Sequence, residues 1–210
     1  MVREFCKGDR WEFGCYTVSM RKRLLGNLLP DDDAESVFAI PYEKLRAEGY
    51  AGLVFDIDNT LVMHGAPATA AVRALFDRLK GMGFRCMILS NNREARVKSF
   101  ALTVGADYIY KAGKPRKAGY RKALDQMDLP ADRTIAIGDQ LFTDIWGANR
   151  TGMMTIRVSP IDPREEIQIV LKRKLEKPFL KSYFRKRKSG GRRAERRALP
   201  ADETRRGGKK

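Results

Sequence analysis

The residues of this chain that could do chemistry fall into four groups. Asp56 and Asp58 stand one residue apart behind an apolar run, in Phe55-Asp56-Ile57-Asp58-Asn59-Thr60-Leu61. Ser90-Asn91 supplies a hydroxyl and an amide, Lys114 a cation just before Pro115, and Asp139 and Asp144 two further carboxylates after Gly138. Carboxylates in this number, with a hydroxyl, an amide and an ammonium, are what phosphoryl transfer with a hard metal ion requires. Oxygen donors hold the ion, and the cation takes up charge spreading over the phosphoryl oxygens. Any one group alone is a weak signal, because carboxylates at loop starts are common helix caps, and Asp144 is also placed to cap a helix at Ile145.

Residues so far apart in sequence can meet only if the fold gathers them, and the middle of the chain alternates strand and helix signals. Apolar runs predict strands over 53–55, 84–89, 108–110, 134–137 and 154–158. Between them, helical spacing predicts helices over 68–80, with Ala71, Val72, Leu75, Phe76 and Leu79 on one face, and over 93–103, 116–127 and 142–150. Gly105, Pro130 and Gly152 supply the stops. This is the α/β pattern of a parallel sheet sandwiched by helices. In such a sheet ligands bind outside the carboxyl ends of the strands, and all four groups follow a strand or its connection. Trp146 and Phe142 read as core. His64, the one histidine, is a solvent-exposed loop residue or a flap residue near a substrate, and Arg93 and Arg96 are solvated helix residues or phosphate contacts.

The flanks differ in character. Residues 1–48 form a lead-in in which 20–29 mixes Arg21, Lys22 and Arg23 with four leucines, suiting either a membrane-surface helix or one packed on the domain. Ile40-Pro41-Tyr42 and Leu45 predict a short helix before the core at 49–160. Pro163 opens a basic helical segment over 161–188, with Ile167, Val170, Leu171 and Leu175 on one stripe. Residues 189–210 are nearly devoid of apolar residues and read as a disordered basic tail. Of the chain's net charge of +16, residues 172–210 supply +13, from 17 Lys or Arg against 4 Asp or Glu. The basicity is thus a property of the C-terminal extension and points to an anionic partner. Cys6, Cys15 and Cys86 are an odd number with no metal-ligand spacing, the first residues carry charges where a secretion signal would be apolar, and no run approaches a membrane span of about 20 apolar residues. The expected setting is the cytoplasm, with contact to the inner face of the membrane and no crossing of it.

The four groups in this order resemble the haloacid dehalogenase-like superfamily, whose motifs are Asp-x-Asp with a following Thr, a Ser or Thr after the second strand, a Lys, and a late acidic pair. The resemblance implies a Rossmann-like fold and a phosphatase. It makes Asp56 the nucleophile that forms an aspartyl-phosphate and Asp58 the general acid and base. Ser90 and the Asn91 backbone N–H would hold phosphoryl oxygens, Lys114 would neutralise charge, and Asp56, Asp139, Asp144 and the Asp58 carbonyl would surround Mg²⁺. Asn59 and Thr60 shape the turn.

Lid domains of this superfamily are inserted after the first motif or between the second and third. Here the intervals from Asp58 to Ser90 and from Asn92 to Lys114 hold a helix with a short loop or strand, so no cap is expected. An uncapped site suits a substrate that covers it, such as a protein, a nucleic-acid end or a lipid headgroup. The stretches Leu28-Leu29-Pro30-Asp31, Gly52 to Val62, Gly138 to Ile145 and Pro160-Ile161-Asp162-Pro163 are similar to the lidless phosphatidylglycerophosphate phosphatase family over about residues 20–185. That similarity implies a phospholipid headgroup as substrate, with the basic C-terminus on an anionic leaflet. Two other readings stand beside it. One is a phosphatase of nucleic-acid ends or phosphoproteins; the other is a nucleic-acid- or ribosome-binding protein on the same fold.

Overall fold

The computed structural model describes residues 26–162. The six strands are β1 (Asp32–Ala34), β2 (Gly52–Phe55), β3 (Arg85–Leu89), β4 (Asp107–Ile109), β5 (Thr134–Gly138) and β6 (Met154–Val158). They form one sheet in the order β1-β6-β5-β2-β3-β4, every neighbouring pair parallel. The helices are α1 (Tyr42–Ala47), α2 (Ala70–Gly81), α3 (Glu94–Val104), α4 (Lys117–Met127) and α5 (Trp146–Asn149).

Successive side chains of a strand point to opposite faces, and here both faces are covered. Leu53 and Phe55 of β2, Ile88 of β3 and Ile135 and Ile137 of β5 pack with Val72, Phe76 and Leu79 of α2 and Val97, Phe100 and Val104 of α3. Val54, Met87, Leu89 and Ala136, the alternate residues, pack on the other face with Tyr120, Ala123 and Met127 of α4 and Ala148 of α5. The helix ends are specified locally. Thr69 caps α2 by accepting from Val72 N at 3.2 Å, and α3 ends on Gly105 at φ 63°, a left-handed conformation that costs glycine least.

From β2 the chain winds outward through β3 to β4, then crosses back to β5 on the other side of β2. The reversal opens a crevice at the carboxyl ends of β2 and β5, where Asp56 and Asp139 emerge. Between Asp58 and Ser90 the chain forms only a loop, α2 and β3, and between Asn92 and Lys114 only α3, β4 and short connections, so neither interval carries an inserted domain.

Three expectations need correction. Strand β1 is not among the predicted strands: it is three residues long and carries two aspartates, yet it pairs with β6 in register Asp32↔Ile156 to Ala34↔Val158. The helix predicted over 142–150 is a π-helical turn, Leu141–Ile145, followed by α5. Its bond from Ile145 N to Gln140 O spans five residues, at 3.2 Å. The extra residue rotates the following turn, leaving Trp146 37 % exposed under the Arg150 guanidinium, and Phe142 within the π-helical turn is half-buried, whereas the sequence places both in the core. Cys6, Cys15, the start of the leucine-rich segment, the helix expected after Pro163 and the basic tail lie outside the described residues. Among the described residues no helix is long and apolar enough to cross a membrane.

Candidate active site

Asp56 follows β2 directly, its N–H donating to Ile137 O of the neighbouring β5 at 3.0 Å. The turn after it folds back on Ile57, whose carbonyl accepts from the N–H groups of Thr60, Leu61 and Val62. Asn59 sits at φ 61°, which asparagine tolerates better than most residues. Its carbonyl and side chain accept from Ile161 and Asp162 N–H, tying the segment after β6 to this turn. Thr60 Oγ1 donates to Asp139 Oδ1 at 3.1 Å. Both residues thus shape the turn, and Thr60 also orients the Asp139 carboxylate.

Asp56, Asp139 and Asp144 each bring one carboxylate oxygen to within 4.8 Å of the others. Lys114, buried, lies 2.5 Å from Asp56 Oδ1 and 2.7 Å from Asp144 Oδ1. Asp144 also accepts from Gln140 N at 3.1 Å, so it works as a local cap and as a member of the cluster at once. The π-helical turn is what aims it. Tyr120 Oη donates to the carbonyls of Thr143 and Asp144, and Gly138 leaves room, since a Cβ there would lie 2.5 Å from Asp144 Cβ.

Burial and the close approach of these groups shift their proton equilibria. Burial pushes Asp56 up to about 7; Lys114 opposes the rise, while Asp144 and Asp58 add to it. Burial alone would lower Lys114, yet Asp144 and Asp56 outweigh it and hold the ammonium firmly protonated. A largely buried set of three converging carboxylate oxygens fits a hard divalent cation.

Asp58 faces the other way. Its Oδ1 accepts from Gly65 N at 2.9 Å and Arg96 Nη2 at 3.2 Å, and its Oδ2 accepts from Asn92 Nδ2. The carboxylate therefore stays out of the Asp56–Asp139–Asp144 cluster. Ser90 is buried at the end of β3, its Oγ accepting from Asn92 N. The Asn91 side chain grips the Lys114 backbone, accepting from Lys114 N at 2.8 Å and donating to Lys114 O at 3.1 Å. The amide thereby positions the cation, a role distinct from the backbone contact expected of Asn91. Arg96, also bonded to Ala66 O at 2.6 Å, is no solvated helix residue. Its spacing, three residues into a helix that follows the second motif, is ordinary, and only the fold brings it to Asp58. His64 and Arg93 are exposed.

A model of the haloacid dehalogenase-like hydrolase family matches residues 66–152. The chain is 38% identical over 159 residues to the "Probable phosphatase YqeG" of Bacillus subtilis, covering 75% of this chain and 92% of that protein. The chain belongs to the haloacid dehalogenase-like phosphatases. Its resemblance to this group, carried by four short motifs, thus extends across the fold. The phosphatase is also 30% identical over 175 residues to "Phosphatidylglycerophosphate phosphatase 1, chloroplastic/mitochondrial" of Arabidopsis thaliana, covering 76% of this chain and 49% of that one. It is 31% identical over 164 residues to the chloroplastic protein of that name in Chlamydomonas reinhardtii, covering 70% and 59%. The phosphatase therefore spans about half the length of these two relatives. As a family member it is a phosphoric monoester hydrolase.

Proposed function

We propose that this phosphatase removes the terminal phosphate of phosphatidylglycerophosphate at a membrane surface, with Mg²⁺ and an aspartyl-phosphate intermediate. The reaction rests on one observation above all: Lys114 holds Asp56 at the mouth of the crevice while Asp139 and Asp144 converge beside it. Asp56 attacks phosphorus, forming an Asp–O–P bond as the P–O bond to the glycerol breaks. Asp58, held apart from the cluster, gives its proton to the departing oxygen and then takes one from the water that cleaves the acyl-phosphate, restoring Asp56. Lys114 and the Ser90–Asn91 loop are aligned to receive charge on the phosphoryl oxygens. Mg²⁺ held by Asp56, Asp139 and Asp144 would supply further charge neutralisation.

The lipid substrate is supported by the uncapped mouth and by the names of two relatives at about one-third identity. With no inserted domain in either interval among the described residues, the site relies on the substrate's own bulk, and a leaflet provides that bulk. The expected setting is the cytoplasmic face of a membrane, with the basic C-terminal extension drawn to anionic lipid. Phosphate release from vesicles containing phosphatidylglycerophosphate, compared with 5′-phosphorylated oligonucleotides and an aryl phosphate, tests this. The lipid should be strongly preferred, and preference for the oligonucleotide would replace the lipid reading with a nucleic-acid one. Asp56→Asn should lower turnover by at least about a thousandfold, and substantial activity in that variant would remove the nucleophile assignment.

A further inference from the structure

The start of α3 and the segment after β4 line an open groove of about 570 Å³, formed by Arg93, Glu94, Ala95, Lys98, Tyr110 and Lys111. Three cations face one carboxylate there, and among the described residues no ion pair engages Arg93, Lys98 or Lys111. By contrast Lys114 and Arg96, a few residues away in sequence, are both paired. One side of the groove is tied to the Ser90–Asn92 loop. Lys111 N donates to Asn92 O at 3.0 Å and Ala112 N to Ser90 O at 3.0 Å, so one wall is pinned to the strand end that carries Ser90. Tyr110, 39 % exposed just beyond β4, adds an apolar ring with a hydroxyl at its tip.

We infer that this groove is a subsite for a second anionic group of the substrate, the phosphodiester that joins the headgroup to the lipid. The inference rests on the proposed lipid reading and names the part of the lipid that the groove would take. In a glycerol-bridged headgroup the diester is separated from the scissile phosphate by three carbons and two oxygens. Arg93 follows Ser90 by three residues, a backbone reach of at most about 11 Å, so a phosphate seated at Ser90 leaves the diester within range of the groove. Arginine and lysine supply several N–H donors to phosphate oxygens, and the tyrosine ring covers the glycerol carbons. Exposed charges act weakly one by one, but three converging on one concavity give selectivity for a doubly phosphorylated headgroup over one with a single phosphate. Such a subsite does for an uncapped enzyme what a cap does elsewhere, choosing the substrate by contacts beyond the transferred group.

The test uses the full chain and two soluble substrates, so that attraction to a membrane plays no part: the deacylated headgroup glycerophosphoglycerol phosphate, and glycerol 3-phosphate, which has no diester. The expected ratio of their kcat/KM values is at least about tenfold in favour of the diester-bearing compound, shrinking at high salt. In R93Q/K98Q/K111Q the ratio should fall to within about twofold of unity, whereas R73Q/R121Q/K122Q, which removes equal charge from α2 and α4, should keep it. A ratio retained in the groove variant, or lost equally in both variants, overturns the subsite. If vesicle-bound phosphatidylglycerophosphate is hydrolysed but the wild-type ratio is near one, the subsite alone fails. No hydrolysis of the vesicle lipid overturns the lipid reading, and the subsite with it.

Discussion

Lys114 Nζ stands 2.7 Å from Asp144 Oδ1, a buried ion pair that also reaches Asp56 and so joins the carboxyl end of β2 to the π-helical turn after β5. Replacing Lys114 with Met removes the only ammonium contacting these two carboxylates among the described residues. Breaking a buried pair costs about 3–5 kcal/mol when the orphaned charge cannot escape. Here it can escape in part by taking up a proton, so the loss should be largest at pH 8 and smaller at pH 6. Urea titrations in chelator at the two pH values check this, and a loss independent of pH would contradict it. Turnover should fall about 10²- to 10³-fold.

Asp56 sets the pH response of the metal-free protein. Its folded pKa of about 7 lies above the usual carboxylate range, because burial favours the neutral form. The folded state therefore holds a proton that the unfolded state has released. The associated stability is fully present below the unfolded value and is lost as pH rises through about 7. Melting temperature in chelator should fall between pH 5 and pH 8, and Asp56→Asn should flatten that decline. A divalent cation held by this cluster would need the ionised carboxylate, so the rise in melting temperature on adding Mg²⁺ should be greater at pH 8 than at pH 5.5. An equal rise at both would separate Asp56 from the cation site.

The sheet and the acidic cluster were legible because strand signals are local and their polar ends come next in sequence. Apolar runs locate β2, β3, β5 and β6, and Asp56, Ser90 and Asp139 stand immediately after their strands. What stayed hidden depends on topology. Asn92 and Arg96 meet Asp58 only because β3 lies beside β2. Nothing in Asn91 itself announces a clamp on Lys114, 23 residues further along the chain. β1 defeats propensity, since aspartates are depleted in strands, and it exists because β6 offers an open edge. Trp146 lies outside the core because one inserted residue in the preceding turn shifts the helical face, which the sequence spacing does not reveal.

Gly138 makes that inserted turn possible. A methyl group on it would meet Asp144 Cβ at 2.5 Å, Cγ at 2.6 Å and Oδ2 at 2.7 Å, displacing the carboxylate from Lys114 and from Gln140 N. Gly138→Ala should cost about 1–3 kcal/mol through overpacking and weaken divalent-cation binding at least about tenfold, measured by calorimetry. Unchanged affinity would mean that Asp144 contributes nothing to the cation site.

Arg96 offers the sharpest test of the general-acid role proposed for Asp58. The guanidinium bridges Asp58 Oδ1 and Ala66 O while lying 5.4 Å from the Phe100 ring centre. It therefore ties the carboxylate to the loop segment at Ala66. Lysine has no planar fork with which to repeat that geometry. Proton donation matters most when the leaving group is a poor one. Arg96→Gln, and to a smaller extent Arg96→Lys, should reduce kcat for glycerol 3-phosphate about 10- to 100-fold. For 4-nitrophenyl phosphate, whose phenolate leaves unaided, the loss should stay within about threefold. A loose carboxylate predicts this divergence, whereas general damage to the fold slows both substrates alike, so equal losses would reduce Arg96 to a support for α3.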